Sequence, residues 1–267
     1  MNRIKKLFSD KKKNIVSVYF TAGFPQLNDT NTILDALQKH GADLIEIGMP
    51  YSDPLADGPV IQRSSMKALQ NGMSIKLLFE QLNKLPGNSP SGVRGTPLIL
   101  MGYLNPVLQY GIEKFCCDAH DVGIDGLILP DLPLHEYETG YKKLFKKYRL
   151  DFIFLVTPET SEKRIRKIDA LSKGFIYAVS SSSITGTDKN LNAQQEYFQR
   201  LEDMKLKNPI MIGFGIKDNE TFTQACKHAA GAIIGTAYIK AIETSDNIET
   251  STRKFINAIL DTSTSSQ

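Results

Sequence analysis

Short β-branched and aromatic runs alternate along the chain with stretches whose apolar residues recur every three or four positions, and the alternation repeats eight times. The strand-like runs are 15–21, 44–49, 97–103, 126–129, 151–156, 175–180, 209–214 and 232–234. Helical spacing covers 30–39, 59–70 with 75–85, 112–121, 135–148, a segment opened by Thr160 or Ser161, then 192–205, 219–227 and 248–260. A helix-like start at 2–9 precedes the first run. Residues 86–95 read as a helix-to-strand connection, 181–190 as a mobile loop without periodicity, and 262–267 as a disordered tail.

Right-handed crossovers between apolar strands buried on both faces turn eight such units into a parallel barrel. The expected fold class is α/β: a single-domain (β/α)8 TIM barrel over 1–261, with an extra N-terminal helix and a short helix after strand eight. An open doubly wound sheet is the alternative, disfavoured because no Gly-x-Gly-x-x-Gly follows the first run and the glycine clusters come late. In a barrel, chemistry sits at the C-terminal ends of the strands. Glu46, Asp57, Asp131, Tyr177, Gly215 and Gly235 would then converge on one mouth.

The second run is the one that does not fit plain packing. Leu44, Ile45, Ile47 and Met49 make a buried strand, yet Glu46 lies within it on the face of Leu44 and Gly48, and Asp57 follows on a Gly/Pro loop. A buried carboxylate must be paired, protonated or put to use. An apolar setting would raise the pKa of Glu46, and a wetter loop would keep Asp57 ionised, which suits acid–base work. The plain alternatives are a Glu46 tied to backbone donors, an Asp57 that caps a helix, a turn-forming Asp131 and a Tyr177 that only packs.

Composition narrows the classes. With 267 residues, 41% of them hydrophobic, the chain supports one large core; a net charge of +3 gives no nucleic-acid footprint. No apolar run approaches the roughly 18 residues of a membrane span, and the N-terminus shows no apolar h-region, so a cytoplasmic protein is expected. Cys116, Cys117 and Cys226 suit neither a disulfide framework nor zinc. His40, His120 and His228 fall on helices or just beyond them, so no metal site is expected, and no strand carries the lysine a Schiff base needs. Lys217 reads as the start of the next helix.

The late glycines point to an anion. Gly213, Gly215, Gly235 with Thr236, and Gly186 fall after strands six to eight, where barrels hold phosphate on backbone amides and the N-terminus of an extra helix, here beginning near Ala237. Tight turns alone are the alternative.

Six motifs carry a resemblance over nearly the whole chain: YFTAGFP (19–25), IEIGMPYSDPLADGPVIQ (45–62), MGYLNPVLQYG (101–111), GLILPDLPL (126–134), ITG (184–186) and IGFGI (212–216). In order and spacing they resemble the tryptophan synthase alpha subunit family. The resemblance implies retro-aldol cleavage of indole-3-glycerol phosphate to indole and D-glyceraldehyde 3-phosphate, with no cofactor in this subunit. It implies a beta-subunit partner carrying pyridoxal phosphate in an α2β2 heterotetramer, joined by an indole channel. It makes Glu46 and Asp57 catalytic and Tyr177 a positioning group. Tyr19, Ile61, Met101 and Phe214 would line the indole pocket; Gly186, Gly215, Gly235 and Thr236 would hold the phosphate. The loops 53–57 and 181–190 would close over substrate, and the first, with Asn105 and Pro106, would face the beta subunit. Two positions depart from the family pattern, Ser183 for a common glycine and Thr236 for a common serine. A catalytically impaired activator of a beta-type partner and another sugar-phosphate barrel enzyme are the competing readings.

Overall fold

The first run, IVSVYFT, is rich in β-branched and aromatic side chains, and all seven of its residues are buried in strand β1 (Ile15–Thr21). The other strands of the computed structural model are β2 (Leu44–Gly48), β3 (Leu98–Met101), β4 (Gly126–Ile128), β5 (Asp151–Phe152), β6 (Phe154–Val156), β7 (Ile176–Val179), β8 (Ile210–Gly213) and β9 (Gly231–Ile234). The structure describes residues 2–84, 95–179, 188–213 and 215–260, with side chains in the 188–203 helix described from residue 195 onward. The predicted connection 86–95, most of the loop 181–190 with Ser183 and Gly186, Phe214, and the tail 262–267 lie outside the described residues, apart from Gly95 and the last three loop positions.

All pairings are parallel, in the order β5-β4-β3-β2-β1-β9-β8-β7-β6. The run predicted as one fifth strand is interrupted at Ile153. Its first half pairs with β4 (Gly126 opposite Asp151) and its second with β7 (Leu155 opposite Tyr177). This single stave bridges the two ends of the sheet, so the ring closes as a barrel and the open-sheet alternative falls away.

Side-chain alternation sorts the core into two layers. Val16, Val18, Phe20, Ile45 and Ile47 face the surrounding helices. Ile15, Leu44, Ile99, Ile128, Ile153, Phe175, Met211 and Ile233, one from each stave, fill the barrel. The helix Arg3–Asp10 plugs the N-terminal end, capped by the Asn2 side chain. Its Ile4 is fully buried and abuts two glycines: a methyl at Gly174 would lie 2.7 Å from Ile4 Cγ2, and one at Gly126 3.0 Å from Ile4 Cδ1. Arg3 anchors the plug on Asp125, with Nη2 2.8 Å from Oδ2. Ile4→Ala is expected to cost about 2–5 kcal/mol in urea denaturation, because this rigid floor cannot collapse into the void. A loss below about 1 kcal/mol would show that the plug is peripheral.

Two segments differ from the pattern-based expectation. The sequence pattern predicts no helix between the third strand and residue 112, whereas the structure has one at Leu104–Tyr110. Proline is harmless in a first turn, and the Asp131 carboxylate accepts from Leu104 N at 2.9 and 3.0 Å. The predicted helix 135–148 contains a π-helical turn at Tyr137–Tyr141. With the chain so arranged, Tyr137 and Phe145 both stack on Phe152, at 4.8 and 5.5 Å between ring centroids. The sixth connecting helix starts at Asp188 rather than 192.

Candidate active site

Glu46 sits in β2, in register with Tyr19 of β1 and Ile99 of β3. It is fully buried, as the sequence parity required. Among the described residues its carboxylate has one hydrogen bond, Ser17 Oγ donating to Oε1 at 2.8 Å, and Oε2 is buried with no partner. Among the described residues no backbone donor holds the carboxylate, so the purely structural reading of Glu46 lacks its supporting contact there. Burial pushes the carboxyl up to about 8, against the lowering effect of the Ser17 hydroxyl. At neutral pH Glu46 is therefore mainly an acid, and both of its protonation states are within reach.

Above Glu46 two tyrosines fill the mouth, and each rests on a glycine. A methyl at Gly48 would lie 2.1 Å from Tyr19 Oη, and one at Gly213 2.3 Å from Tyr177 Oη. Only a hydrogen in place of a side chain lets these rings lie flat against the neighbouring strand. Burial drives both phenols far above their ordinary pKa, with the Glu46 and Asp57 charges adding to the shift, so both remain neutral.

Asp57 lies on the loop before the helix Pro59–Gln70, whose first position is proline. Its Oδ2 accepts from Tyr103 Oη at 3.0 Å, and the same Tyr103 oxygen accepts from Ala56 N at 3.0 Å. The expected wetter setting is met only in part: Asp57 is half-buried, and burial raises its pKa although the Tyr103 bond lowers it. Tyr19, Asp57 and Met101 border one small cleft with Met49, Ser65, Gly102, Tyr103 and Pro130. Ile61 adjoins it, its Cδ1 3.7 Å from where a methyl at Gly235 would stand, with Tyr19 Cδ1 at 3.4 Å.

The anion candidates are only partly described. Gly235 follows β9 and caps the helix Thr236–Glu243, whose first turn has no side-chain cap, leaving amides available at the mouth. Thr236 is exposed there, and Gly215 adopts φ 78° after β8 with open space above it. Gly186 and Phe214 are outside the described residues. Asp131 acts as the Leu104 cap, and Lys217 precedes the Asp218–Thr221 capping box. Among the described residues no group of three or more His, Cys, Asp or Glu is placed to hold a metal ion, and no helix is long and apolar enough to cross a membrane.

Tyr103 and Ser17 were missed by sequence reasoning. Tyr103 looked like the end of a strand, and only the fold brings it to Asp57. Ser17 did carry a signal, a small hydroxyl within an otherwise apolar and aromatic stretch whose face reads Ile15, Ser17, Tyr19.

Residues 4–265 match the family model described as tryptophan synthase alpha chain. The Flavobacterium psychrophilum tryptophan synthase alpha chain is 53% identical over 263 residues, covering 97% of this chain and 100% of that one. The Bacteroides thetaiotaomicron alpha chain is 47% identical over 260 residues, covering 97% and 100%. Among solved structures, the Legionella pneumophila tryptophan synthase alpha chain superposes with a TM-score of 0.83 at 35% identity, over 98% of this chain and 97% of that one. A chain of Mycobacterium tuberculosis tryptophan synthase in its aminoacrylate-bound form gives 0.82 at 28% identity, over 97% and 100%.

Proposed function

The chain belongs to the tryptophan synthase alpha chain family and is a lyase of tryptophan biosynthesis acting in the alpha reaction, in which we propose that Glu46 and Asp57 form the acid–base pair. The observation that carries this reading is the buried Glu46 carboxyl, raised to about 8 and with no partner at Oε2 among the described residues, beside a cleft that holds a second carboxylate.

In this reading the substrate is indole-3-glycerol phosphate. Protonated Glu46 gives its proton to indole C3, so that positive charge develops at the ring nitrogen. The Asp57 carboxylate accepts the indole N–H and stabilises that charge. Glu46, now a carboxylate, takes the proton from the glycerol hydroxyl next to C3. The C–C bond breaks, its electrons restore the indole ring, and an aldehyde forms on the departing glyceraldehyde 3-phosphate. Glu46 ends as it began, protonated. Tyr19, Ile61, Met101 and Phe214 surround the ring, and Tyr177 supports Glu46 and substrate. Gly186, Gly215, Gly235 and Thr236 bind the phosphate through backbone amides and the N-terminus of the Thr236–Glu243 helix.

All of these steps use protein groups, and pyridoxal phosphate belongs to the beta subunit, the partner in an α2β2 heterotetramer that receives indole by a channel. Support for that docking face comes from Leu55, 90% exposed on the Asp57 loop, and Leu108, half exposed on the Leu104–Tyr110 helix beside it. The assembly is cytoplasmic. Indole release from indole-3-glycerol phosphate, measured on the purified chain with and without its beta subunit, is expected in both cases and faster with the partner. Silence in both samples would reject the reading.

A further inference from the structure

Ser17 is a misfit. It is fully buried in the middle of β1, where valine or isoleucine would pack and pair better, and a buried hydroxyl is costly unless it is bonded. In the register of the sheet it lies opposite Leu44, two residues below Tyr19, which is opposite Glu46. The hydroxyl therefore reaches the Glu46 carboxyl from beneath, on the side away from the mouth. Its acceptor is Oε1, at 2.8 Å, while Oε2 has no partner among the described residues.

We propose that Ser17 is a positioning residue for the lyase reaction, holding Oε1 of Glu46 so that Oε2 is the oxygen that carries the proton to and from substrate. This rests on the reading of Glu46 as the acid–base group. In a neutral carboxyl one oxygen accepts and the other bears the hydrogen. A hydroxyl donating to Oε1 makes Oε1 the carbonyl oxygen and leaves the proton on Oε2. When that proton leaves, the Ser17 bond becomes charge-assisted and strengthens, so the same contact eases proton departure and restrains rotation of the carboxylate before it acts as base.

The titratable groups near Glu46 are Tyr19 from β1, Tyr177 from β7 and Asp57 from the loop after β2, while its neighbour on β3, Ile99, is apolar. Burial keeps both phenols neutral, and it raises the Asp57 carboxyl against the lowering effect of the Tyr103 hydroxyl. An alkaline limb near pH 8 then belongs to Glu46.

The test compares Ser17→Ala, Ser17→Thr and Ser17→Val in the chain assayed with its beta subunit. Threonine and valine share a shape and differ in the hydroxyl, so a packing defect would affect both. Loss of the donor removes a bond to the charged form, so Ala and Val are expected to move the alkaline limb of kcat/KM up by about one pH unit. They are also expected to lower kcat about tenfold with KM nearly unchanged, while Thr keeps the parental profile. A carboxyl-labelled glutamate carbon NMR titration, assigned by the signal missing in Glu46→Gln, reads the same shift without turnover. An unmoved Glu46 titration in Ala and Val, or an equal change in all three variants, overturns the role of Ser17. Parental activity surviving in Glu46→Gln would instead overturn the reading of Glu46 on which it rests.

Discussion

Glu46→Gln is expected to reduce indole release by about 10²–10⁴-fold or more while making the folded chain more stable at alkaline pH. The rate loss follows from removing the group that both gives and takes a proton, each a general acid–base contribution of that size. The stability gain follows from linkage. A carboxyl with a folded pKa of about 8 against an ordinary 4.5 binds more protons folded than unfolded between those values. Folding stability therefore falls as pH rises from about 4.5 to about 8, at up to roughly 1.4 kcal/mol per pH unit, and levels off above. Glutamine has the shape without the charge, so this slope should vanish and the variant should exceed the parent by a few kcal/mol at pH 8. Urea denaturation at pH 5 and pH 8, run beside the activity assay, gives both numbers. A variant that is inactive and also uniformly less stable would mean that Glu46 serves the fold.

Asp57→Asn should cost about 10²–10³-fold in kcat, the scale for losing an electrostatic group aimed at developing charge. Asparagine can still accept the indole N–H, so what is removed is the negative charge opposite the ring nitrogen. Asp57 must be ionised to act, and its pKa is raised by burial. Rate should therefore fall as pH drops through a value above the ordinary 3.8. Tyr103→Phe removes a donor to the charged form and is expected to move that acid limb to higher pH, with a rate loss of about tenfold or less, since the carboxylate itself stays. If Asp57→Asn kept the parental kcat and only raised KM, Asp57 would be a ground-state binding group and not part of the chemistry.

Much of the site was legible because one residue violated a local rule. Glu46 interrupts a run that otherwise reads as buried strand, and strand parity alone placed it with Leu44 and Gly48, which is the barrel interior. Asp57 was found from a Gly/Pro loop in the same motif, but its partial shielding was not, because the neighbours beside it come from elsewhere in the chain, Tyr19 from β1 and Tyr103 from the turn after β3. The glycines under the tyrosines show the same division. Gly48 and Gly213 are visible as glycines, yet that each faces a particular ring from the adjacent strand depends on register, which no local pattern encodes.

From the sequence by itself follow the alternation of strands and helices, the parallel class, the faces of each strand and the two carboxylates, because these depend on side-chain periodicity and on the cost of burying charge. Tertiary structure alone decided the closure through the split stave around Ile153, the π-helical turn at Tyr137–Tyr141, the Tyr103–Asp57 bond and the Ser17–Glu46 bond. Each of these joins residues 22 or more positions apart or answers to packing around them. The free energy that selects them exists only once the barrel has brought the partners together.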